Sequence, residues 1–599
     1  MEHLTPLRRL AADRATQADG VWLIGESDVR YIEAAELTVL EILRNATDVS
    51  ADSAELDAVA GGSAVTYHLS SRRANAVRFL DLPADAKVLE VGAGCGPVTR
   101  YLAETCAVVD SVEPMARRAA IARERCRGLD NVQVFAGEVA DVPAEPAYDV
   151  VLVNGVLEYI GDGSADHGPY VEFLRAVSAR LLPGGVLILA IENRLGVKYV
   201  VGAPEDHTDR EYDSLEGYPR RNHARVFSRR ELTELLTAGG MQVGSVLAAF
   251  PDYKRTTVLL SDTIDRVDPS LAYRIPTFPS PDRRGFRHRA ADELAVWRTL
   301  VEAGLTWEFP NSFVVLAHTP GQPRVLWPEG RHAVFARNVR RAEFSRRTVL
   351  QDDAGTATFR RVAHPAAGIE IDGVRLVTES MPYQPGVEAL DLLARADEAE
   401  QRRILGRWRD MVREWPWDEG APLDLVPHNL VVAPDGDLVL VDDEYRGTGW
   451  AREDVLARGA LTLAMKLAQV TSAERWDQAT IGDLAAHLGA MVGLEGDWID
   501  GAVRREAGLR CTVRPPGAVD HEEVLRGSLA APLADGPLDL QAIRRIGRME
   551  QRMAELEAAS NSTSAELDRI RRSRAYRLLG RVRRVLGRVR GVVRRARRA

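Results

Sequence analysis

The sequence predicts an α/β fold: a mainly parallel sheet of seven strands with helices on both faces, followed by an α+β domain and a helical tail. Three observations lead to this prediction. The 599 residues are too many for one hydrophobic core. From residue 87 onward, apolar strand-like runs alternate with helical segments, as in βαβ units. Residues 569–599 contain fourteen arginines and no acidic residue, so the net charge of −9 leaves −23 for the rest of the chain.

These patterns divide the chain into seven predicted segments. They are an N-terminal helical extension (1–65), the parallel-sheet domain (66–265), a proline-rich linker (266–284), the α+β domain (285–500), a second linker (501–540), a short coiled coil (541–572) and a basic amphipathic helix (573–599). The four cysteines show neither metal-ligand nor disulfide spacing. No apolar run has the length of a signal peptide or a membrane-spanning helix, so we expect a cytoplasmic protein.

The strand pattern predicts where a ligand binds. The first five predicted strands lie at 88–91, 108–112, 132–136, 150–153 and 186–191, and the sixth and seventh at 243–248 and 257–260. Ligands of such sheets bind at the carboxyl ends of the strands, near the switch in strand order. Gly92, Gly94 and Gly96 follow the first strand, and glycine there permits positive φ and a close approach of a ligand to the backbone. Nucleotides, flavins and methyl donors all bind at such turns.

Polar residues at the ends of the next strands help to decide among these ligands. Glu113 ends the second strand, where a carboxylate can accept both hydroxyls of a ribose. Asp141 follows the third strand, where it can accept from an adenine amino group, and Asn154 ends the fourth. A Leu-Leu-Pro-Gly-Gly turn leads into the fifth strand.

This succession resembles the class I S-adenosylmethionine-dependent methyltransferases, whose sheet is Rossmann-like. The resemblance implies S-adenosylmethionine as the cofactor, bound by Glu90, Gly92, Gly94, Gly96, Glu113, Asp141 and Asn154. A nicotinamide dehydrogenase is the alternative. However, Gly-Ala-Gly-Cys-Gly-Pro lacks the G-x-G-x-x-G spacing, and the Leu-Leu-Pro-Gly-Gly turn has no place in that reading. Methyl transfer itself depends mainly on in-line positioning of the acceptor.

The segment after the fifth strand is predicted to form the acceptor side. Five basic residues there could make an anion site for a sugar or phosphate: Arg194, Lys198, Arg220, Arg221 and Arg225. Glu205, Asp206 and His207 could hold a metal ion, but three adjacent residues seldom converge, which favours loop structure. Glu158 fits a functional carboxylate and a surface helix residue equally well.

The α+β domain contains a second acidic motif. Asp424 stands five residues before Asn429, and Asp442 follows a hairpin. This arrangement resembles the aminoglycoside- and choline-kinase-like branch of the protein-kinase fold. The resemblance implies a catalytic role for Asp424 and binding of ATP through Mg²⁺ held by Asn429 and Asp442. No lysine occurs between Lys254 and Lys466 and no glycine-rich phosphate loop is apparent, so an inactive kinase-like domain remains an alternative.

The C-terminal segments predict partners. Apolar and small polar residues at a/d spacing predict the coiled coil and a homo-oligomer: Ile546, Met549, Met553, Leu556, Ser560, Thr563, Leu567 and Ile570. A lone amphipathic helix packed on the body is the alternative. Over 573–599, an apolar stripe lies opposite an arginine face. This favours an interfacial helix on an anionic membrane over nucleic-acid binding.

The order of these segments resembles the bifunctional methyltransferase–kinase proteins that terminate bacterial O-antigen polysaccharides. The resemblance implies methylation of a cell-envelope glycan or a sugar or phosphosugar acceptor, at the inner face of the cell membrane. Two alternatives remain: a single-activity methyltransferase for a sugar or small molecule with a non-catalytic second domain, and a membrane-associated scaffold.

Overall fold

One continuous sheet runs through both halves of the described chain. The computed structural model describes residues 4–14, 16–25, 35–59, 63–161, 166–220, 223–281, 289–336, 340–364, 366–471, 475–515 and 519–533. Residues Met1–Phe286 and Ala291–Gly536 belong to one compact unit. The remaining unit, Arg287–Ala290 and Pro537–Ala599, lies almost wholly outside the described residues. The predicted coiled coil and basic helix therefore stay predictions.

The described residues form the following strands. They are β1 (Thr16–Ala18), β2 (Val21–Leu23), β3 (Lys87–Val91), β4 (Val108–Glu113), β5 (Val132–Ala136), β6 (Tyr148–Asn154), β7 (Leu181–Glu192), β8 (Gln242–Phe250), β9 (Val258–Leu260), β10 (Ser312–His318), β11 (Arg331–Ala336), β12 (Arg346–Asp353), β13 (Thr356–Ala363), β14 (Val374–Leu376), β15 (Met381–Pro382), β16 (Val387–Glu388), β17 (Ala421–Pro422), β18 (Leu430–Val432), β19 (Leu438–Leu440) and β20 (Tyr445–Gly447).

Helices cover the sheet and form most of the C-terminal part. They are α1 (Pro6–Arg14), α2 (Ala35–Asn45), α3 (Ala54–Val59), α4 (Ser63–Leu69), α5 (Asn75–Arg78), α6 (Pro97–Thr105), α7 (Ala116–Arg125), α8 (Gly168–Ser178), α9 (Val197–Val200), α10 (Arg229–Ala238), α11 (Leu271–Arg274), α12 (Glu293–Glu302), α13 (Ala389–Arg395), α14 (Glu398–Glu414), α15 (Arg452–Val470), α16 (Ile481–Met491), α17 (Trp498–Val513) and α18 (His521–Ala530). None of the helices in the described ranges is both long and apolar enough to cross a bilayer.

Among the described residues, the main sheet has the order β1-β2-β5-β4-β3-β6-β7-β10-β8-β9-β11-β12-β13-β15. Strands β2, β5, β4, β3, β6 and β7 are parallel. The chain passes from β3 outward to β5 and then returns to β6, so the strand order switches between β3 and β6. The crevice at this switch is where α/β sheets bind ligands. The predicted parallel α/β sheet is confirmed.

The core lies on both faces of this sheet. Val88 of β3 packs with residues of α6 on one face, while its neighbour Leu89 packs with residues of α8 and α10 on the other. Both side chains are completely buried, as expected for a strand covered by helices on both sides. The two layers hold the carboxyl ends of β3, β4 and β6 in fixed register.

The seventh strand differs from the prediction. Antiparallel β10 lies between β7 and β8, although the sequence placed its residues in the second domain. The predicted seventh strand, residues 257–260, instead corresponds to β9, which joins β8 to β11. The predicted strand is therefore present, but its neighbours in the sheet could not be predicted, because a buried apolar run specifies a strand and not its partner. Strands β11, β12 and β13 extend the same sheet, and the predicted linker contains α11 with buried Leu271.

The N-terminal extension also contributes to the sheet. It contains the expected helices and, in addition, the hairpin β1–β2, whose second strand pairs in parallel with β5. Thr5 Oγ1 donates to Asp110 Oδ2 at 2.5 Å, and Arg8 Nε donates to Asp110 Oδ1 at 2.6 Å. Because Asp110 is completely buried in β4, these contacts attach α1 to the central strands.

Candidate functional site

The glycine turn after β3 leaves open space beside its middle residue. Gly92, Gly94 and Gly96 have φ of +85°, +54° and +83°, in the left-handed region that side chains disfavour. A Cβ on Gly92 would lie 2.3 Å from Val156 Cγ2, and one on Gly96 would lie 2.7 Å from Ala122 Cα. A Cβ on Gly94 would have no atom within 4 Å. The turn is thus held tightly at both ends, and its centre faces a cradle of exposed backbone.

Glu113 is anchored to this turn. It ends β4, is 5% exposed and accepts the N–H of Gly94 at 2.8 Å and of Met115 at 3.2 Å. Burial raises the pKa of Glu113, and the two backbone donors partly oppose that rise. The carboxylate therefore lies at the carboxyl edge, beside the open centre of the glycine turn.

Glu90 lies inside the domain and joins three elements. Its Oε2 accepts the hydroxyls of Thr99 on α6 at 2.5 Å and of Ser111 on β4 at 2.6 Å. The residue is 2% exposed, and burial raises the pKa of Glu90 to about 7. These contacts make Glu90 a support for the turn; its predicted contact with the cofactor stays a prediction.

Asp141 and Asn154 lie at or just beyond the carboxyl ends of β5 and β6. Asp141 accepts the N–H of Glu138 at 2.8 Å, and a Cβ on Gly25 would lie 2.1 Å from Asp141 Oδ2. The end of the N-terminal hairpin therefore packs against Asp141, which sequence reasoning missed. Asn154 ends β6, and its Oδ1 is buried without a hydrogen-bond partner. A buried acceptor of this kind is costly unless a ligand satisfies it.

These residues fit an adenosine-type cofactor with a methionine part. The turn offers bare backbone at Gly94, Glu113 offers carboxylate oxygens and Asn154 offers an unsatisfied amide oxygen. All three lie at the carboxyl ends of β3, β4 and β6, on both sides of the strand-order switch. The structure thus brings together three of the predicted positions, and each provides a group that such a cofactor needs.

A buried ion network lies beside this cleft, on the β6–β7 side. It consists of Glu158, Glu192, Lys198, Asp206, His207 and Lys254. Lys254 Nζ contacts Glu192 Oε1 and lies 2.7 Å from Asp206 Oδ2, which also lies 3.1 Å from Lys198 Nζ. Glu158 is completely buried, so its interpretation as a surface helix residue was wrong. No sequence signal linked Glu158 and Glu192 to Lys254, since they follow three different strands.

The acidic groups of the ion network differ in proton affinity. Burial, together with Glu192, raises the pKa of Glu158 to about 7. Burial alone would raise the pKa of Glu192 too, but Lys254 and His207 hold it well below its ordinary range. Burial alone would lower the pKa of His207, and Glu192 more than offsets this, so the net shift is upward. The network therefore keeps Glu192 ionised, whereas Glu158 gains and loses its proton near neutral pH.

Two of the five basic residues of the predicted anion wall pair with carboxylates of the protein. Arg194 pairs with Glu231 at 3.0 Å, and Lys198 pairs with Asp206. The charges of Arg194 and Lys198 are therefore balanced within the protein, while Arg221 of the same predicted wall lies outside the described residues. Glu205 accepts the backbone N–H of His207 at 2.8 Å, which is the loop role that the sequence favoured for it.

A second cleft, of about 320 Å³, lies in the C-terminal part. Asn429 Nδ2 donates to the carbonyls of Asp424 and Asp442 at 3.1 and 3.2 Å, and Asp424 Oδ2 accepts the N–H of Glu444 at 3.0 Å. The three predicted residues therefore converge at this cleft. Burial raises the pKa of Asp424 to about 7, against the influence of Arg458.

Arginines occupy the acidic end of the second cleft. Glu444 pairs with Arg340 at 2.6 Å and with Arg346 at 3.0 Å. Arg346 also lies 3.6 Å from Asp442 Oδ1. Sequence reasoning did not find these arginines, since they come from the segment around β11 and β12. They supply positive charge where the kinase resemblance implies Mg²⁺.

Comparison with known proteins identifies the class of the first domain. Residues 67–246 match the model of a methyltransferase domain. The chain is 34% identical over 120 residues to a protein-L-isoaspartate O-methyltransferase of Nitrobacter winogradskyi, covering 20% of this chain and 49% of the relative. It is 26% identical over 184 residues to a ubiquinone biosynthesis O-methyltransferase of Methylocella silvestris, covering 27% and 61%. The chain therefore carries an S-adenosylmethionine-dependent methyltransferase domain, and S-adenosylmethionine is the cofactor of that domain.

A solved structure is similar to part of the chain. It is an S-adenosylmethionine-dependent methyltransferase of Mesorhizobium loti, 16% identical, with a TM-score of 0.24, covering 41% of this chain and 95% of that chain. The chain spans 46% to 61% of the length of the curated relatives that it matches.

Proposed function

We propose that this protein transfers the methyl group of S-adenosylmethionine to a hydroxyl of a cell-envelope glycan or of a sugar or phosphosugar acceptor. The observation that carries the methyl transfer is the cradle at the carboxyl ends of β3, β4 and β6. There the open backbone of Gly94, the carboxylate of Glu113 and the unsatisfied Oδ1 of Asn154 lie around one crevice.

Each residue of the cradle has a separate task. When bound, S-adenosylmethionine supplies an electrophilic methyl group on a sulfonium. Glu113, fixed by Gly94 N–H, accepts ribose hydroxyls, and Asp141 lies on the adenine side. The amide oxygen of Asn154 accepts a hydrogen bond on the methionine side of the cofactor. Because the donor carries its own activation, the protein contributes mainly orientation and exclusion of water.

The acceptor class is proposed from the order of the segments. A methyltransferase domain, an α+β domain and a basic C-terminal helix resemble the proteins that terminate bacterial O-antigen chains. The fourteen arginines at 569–599 would hold the enzyme on an anionic membrane, where lipid-linked glycans are found. The segment 541–572 would join copies of the chain through a coiled coil.

Substitution of Gly94 tests the cradle. In Gly94→Ala the new Cβ fills the open space of the cradle. We expect S-adenosylmethionine to bind roughly tenfold to hundredfold more weakly in calorimetry, since overpacking costs about 1–3 kcal/mol. Gly128→Ala is the matched control, because Gly128 also has positive φ (+81°) and no atom within 4 Å of a Cβ. Equal affinity in both variants would refute the cradle.

Transfer of labelled methyl groups to a polysaccharide extract tests the acceptor. Wild type should label the extract, and Gly94→Ala should label it in proportion to its reduced affinity. Labelling of small sugars alone would favour the single-activity alternative. Binding of the cofactor without any transfer would favour the scaffold.

We also propose that the second cleft binds ATP, with phosphoryl transfer as a second candidate activity. The convergence of Asp424, Asn429 and Asp442 favours it. In this proposal Asp424 is the base for an acceptor hydroxyl, and Asn429 and Asp442 hold Mg²⁺. The guanidinium groups of Arg340 and Arg346 would stand in part for the missing phosphate-pairing lysine.

A further inference from the structure

The ion network reaches the surface through one hydroxyl. Tyr159 lies in the turn after β6 and is 47% exposed. Its hydroxyl lies 3.1 Å from His207 Nδ1. The turn also carries Val156, which packs against Gly92 of the cofactor cradle. Tyr159 is therefore an exposed group, three residues along the chain from Val156, whose hydroxyl is hydrogen-bonded to a buried histidine side chain.

His207 connects this hydroxyl to a buried carboxylate. Its Nε2 lies 3.6 Å from Glu192 Oε2, and its ring stands edge-on to that of Tyr159, at 5.3 Å between centroids. The His207 side chain is 4% exposed and that of Glu192 is completely buried. Glu192 is ionised, so it acts as an acceptor and favours the tautomer with the proton on Nε2. The lone pair of Nδ1 then points to the Tyr159 hydroxyl.

The groups around His207 are mostly charged or titratable. The titratable and charged groups that face it or Glu192 are Glu158, Lys198, Tyr199, Glu205, Asp206, Tyr218, Tyr253 and Lys254. Glu192, Glu205 and Asp206 give three negative charges, while Lys198 and Lys254 give two positive ones. Arg225, whose guanidinium lies over the Tyr218 ring, adds a further positive charge. The carboxylates of Glu192 and Glu205 raise the pKa of His207 and so favour uptake of a proton by its ring.

A metal ion is the other reading of this cluster. Ligand atoms of Glu158, Glu192 and His207 lie within 4.8 Å of one another. However, Lys254 Nζ already contacts Glu192 and lies between it and Asp206. This ammonium supplies the positive charge that a cation would bring, and a metal ion would have to displace it. The geometry therefore favours proton uptake by His207 over binding of a metal ion.

We propose that Tyr159, His207 and Glu192 form a proton relay for methyl transfer. As the acceptor oxygen forms its bond to the methyl group, its proton passes to the Tyr159 oxygen and the Tyr159 proton passes to His207 Nδ1. The resulting imidazolium is stabilised by Glu192 through Nε2–H. Tyr159 is the catalytic residue. His207 accepts the proton of Tyr159, and Glu192 positions His207 and stabilises its charged form. The relay rests on the proposed methyl transfer to a hydroxyl.

The relay predicts a pH dependence. The pKa of His207 lies above its ordinary value of 6.5, and only neutral His207 can accept a proton. Methyl transfer should therefore rise with pH through that raised pKa and then level off. Removing the negative charge in Glu192→Gln lowers the pKa of His207. The rise of the methyl-transfer rate should then occur at lower pH, and the maximal rate should be smaller. Glu158→Gln should keep the rise of the rate with pH. This result would show that the rise reports the titration of His207 and not that of the Glu158 carboxyl.

Titration of His207 tests the relay without an acceptor. In ¹⁵N-histidine-labelled full-length protein, neutral His207 should carry its proton on Nε2, and Glu192→Gln should lower its pKa. A neutral form protonated on Nδ1, or a pKa that does not respond, would overturn the relay. Since Glu192 is buried, its replacement can unfold the domain. Tyr159→Phe removes only an exposed hydroxyl, and we expect it to shift the ¹⁵N signal of His207 Nδ1. An unchanged signal would also overturn the proposal.

Kinetics on the labelled polysaccharide extract give the second test. Tyr159→Phe should lower the maximal rate roughly hundredfold, the usual contribution of general-base catalysis, with unchanged affinity for S-adenosylhomocysteine. Tyr273→Phe, on helix α11, is the control and should keep full rate. A full rate in Tyr159→Phe, or loss of activity on addition of EDTA, would refute the relay. If wild type transfers no methyl group, the proposed function fails, and the titration alone decides the relay.

Discussion

At the residue scale, both clefts depend on carboxyls whose neighbours decide their charge. Glu192 is completely buried yet ionised, because Lys254 lies against it. Asp424 is buried too, and its only cationic neighbour in a salt bridge among the described residues, Arg458, lies 3.5 Å away and pairs more closely with Glu506 at 2.8 Å. This difference explains why the pKa of Asp424 rises to about 7, which suits a group that must accept a proton near neutral pH.

Replacement of Asp424 tests the second candidate activity. Asp424→Asn keeps the size of the side chain and removes its basicity. We expect phosphate incorporation from labelled ATP to fall by a factor of roughly 10² to 10⁴, while ATP affinity stays within a few-fold. Asp435→Asn, in the exposed hairpin turn between β18 and β19, is the control. Phosphate incorporation that is unchanged by Asp424→Asn would eliminate Asp424 as the base.

At the scale of elements, β10 makes the two halves of the chain interdependent. It forms ladders with β7 on one side and β8 on the other. Its apolar side chains Phe313, Val314 and Val315 are almost completely buried. Burial of such side chains contributes about 1.5–3 kcal/mol each, against a net domain stability of roughly 5–15 kcal/mol. A methyltransferase domain that ends before β10 would lose a central strand.

Truncation provides the corresponding test. A fragment 1–265 ends where the sequence places the domain boundary, and we expect it to aggregate or to unfold without cooperativity. A fragment 1–533 keeps β10 and should unfold cooperatively and bind S-adenosylmethionine. Circular dichroism melting and calorimetry make the comparison. A monomeric 1–265 fragment with wild-type cofactor affinity would show that β10 is dispensable.

At the scale of the whole molecule, charge is strongly polarised along the chain. Residues 569–599 carry fourteen arginines, while the rest carries −23. A basic segment gains roughly 1 kcal/mol for each Lys or Arg near an anionic membrane. The apolar stripe predicted at 573–599 would add burial in the interface. The tail lies outside the described residues, so its membrane role stays a prediction from sequence.

Deletion of 573–599 tests this prediction. Full-length protein should sediment with phosphatidylglycerol vesicles and much less with phosphatidylcholine vesicles, and added salt should weaken binding because it screens exposed charges. The deletion variant should stay in the supernatant while keeping its affinity for S-adenosylmethionine. Vesicle binding that survives the deletion would refute the membrane helix. Salt-sensitive binding to DNA in place of vesicles would support nucleic acid as the partner.

The places of the candidate cofactor residues in the fold could be predicted from the sequence because their signals are local. Gly92, Gly94 and Gly96 follow a buried strand directly, and Glu113 and Asn154 end neighbouring strands. A backbone that needs positive φ selects glycine, and parallel strands bring their carboxyl ends to one edge. Asp424, Asn429 and Asp442 also meet as their spacing suggested, because a short hairpin joins them.

The acceptor side and the sheet order were decided only by tertiary structure. Glu192 ends β7, whereas Glu158, His207 and Lys254 lie in separate connecting segments, and no sequence spacing relates the four residues. Likewise, β10 occupies a central place in the sheet after a long excursion of the chain, because strand pairing depends on shape and burial across distant segments rather than on local pattern. The sequence by itself determined the glycine turn, the polar residues at the strand ends and the polarity of charge; the tertiary structure decided which buried charged groups lie together, because they come from distant segments.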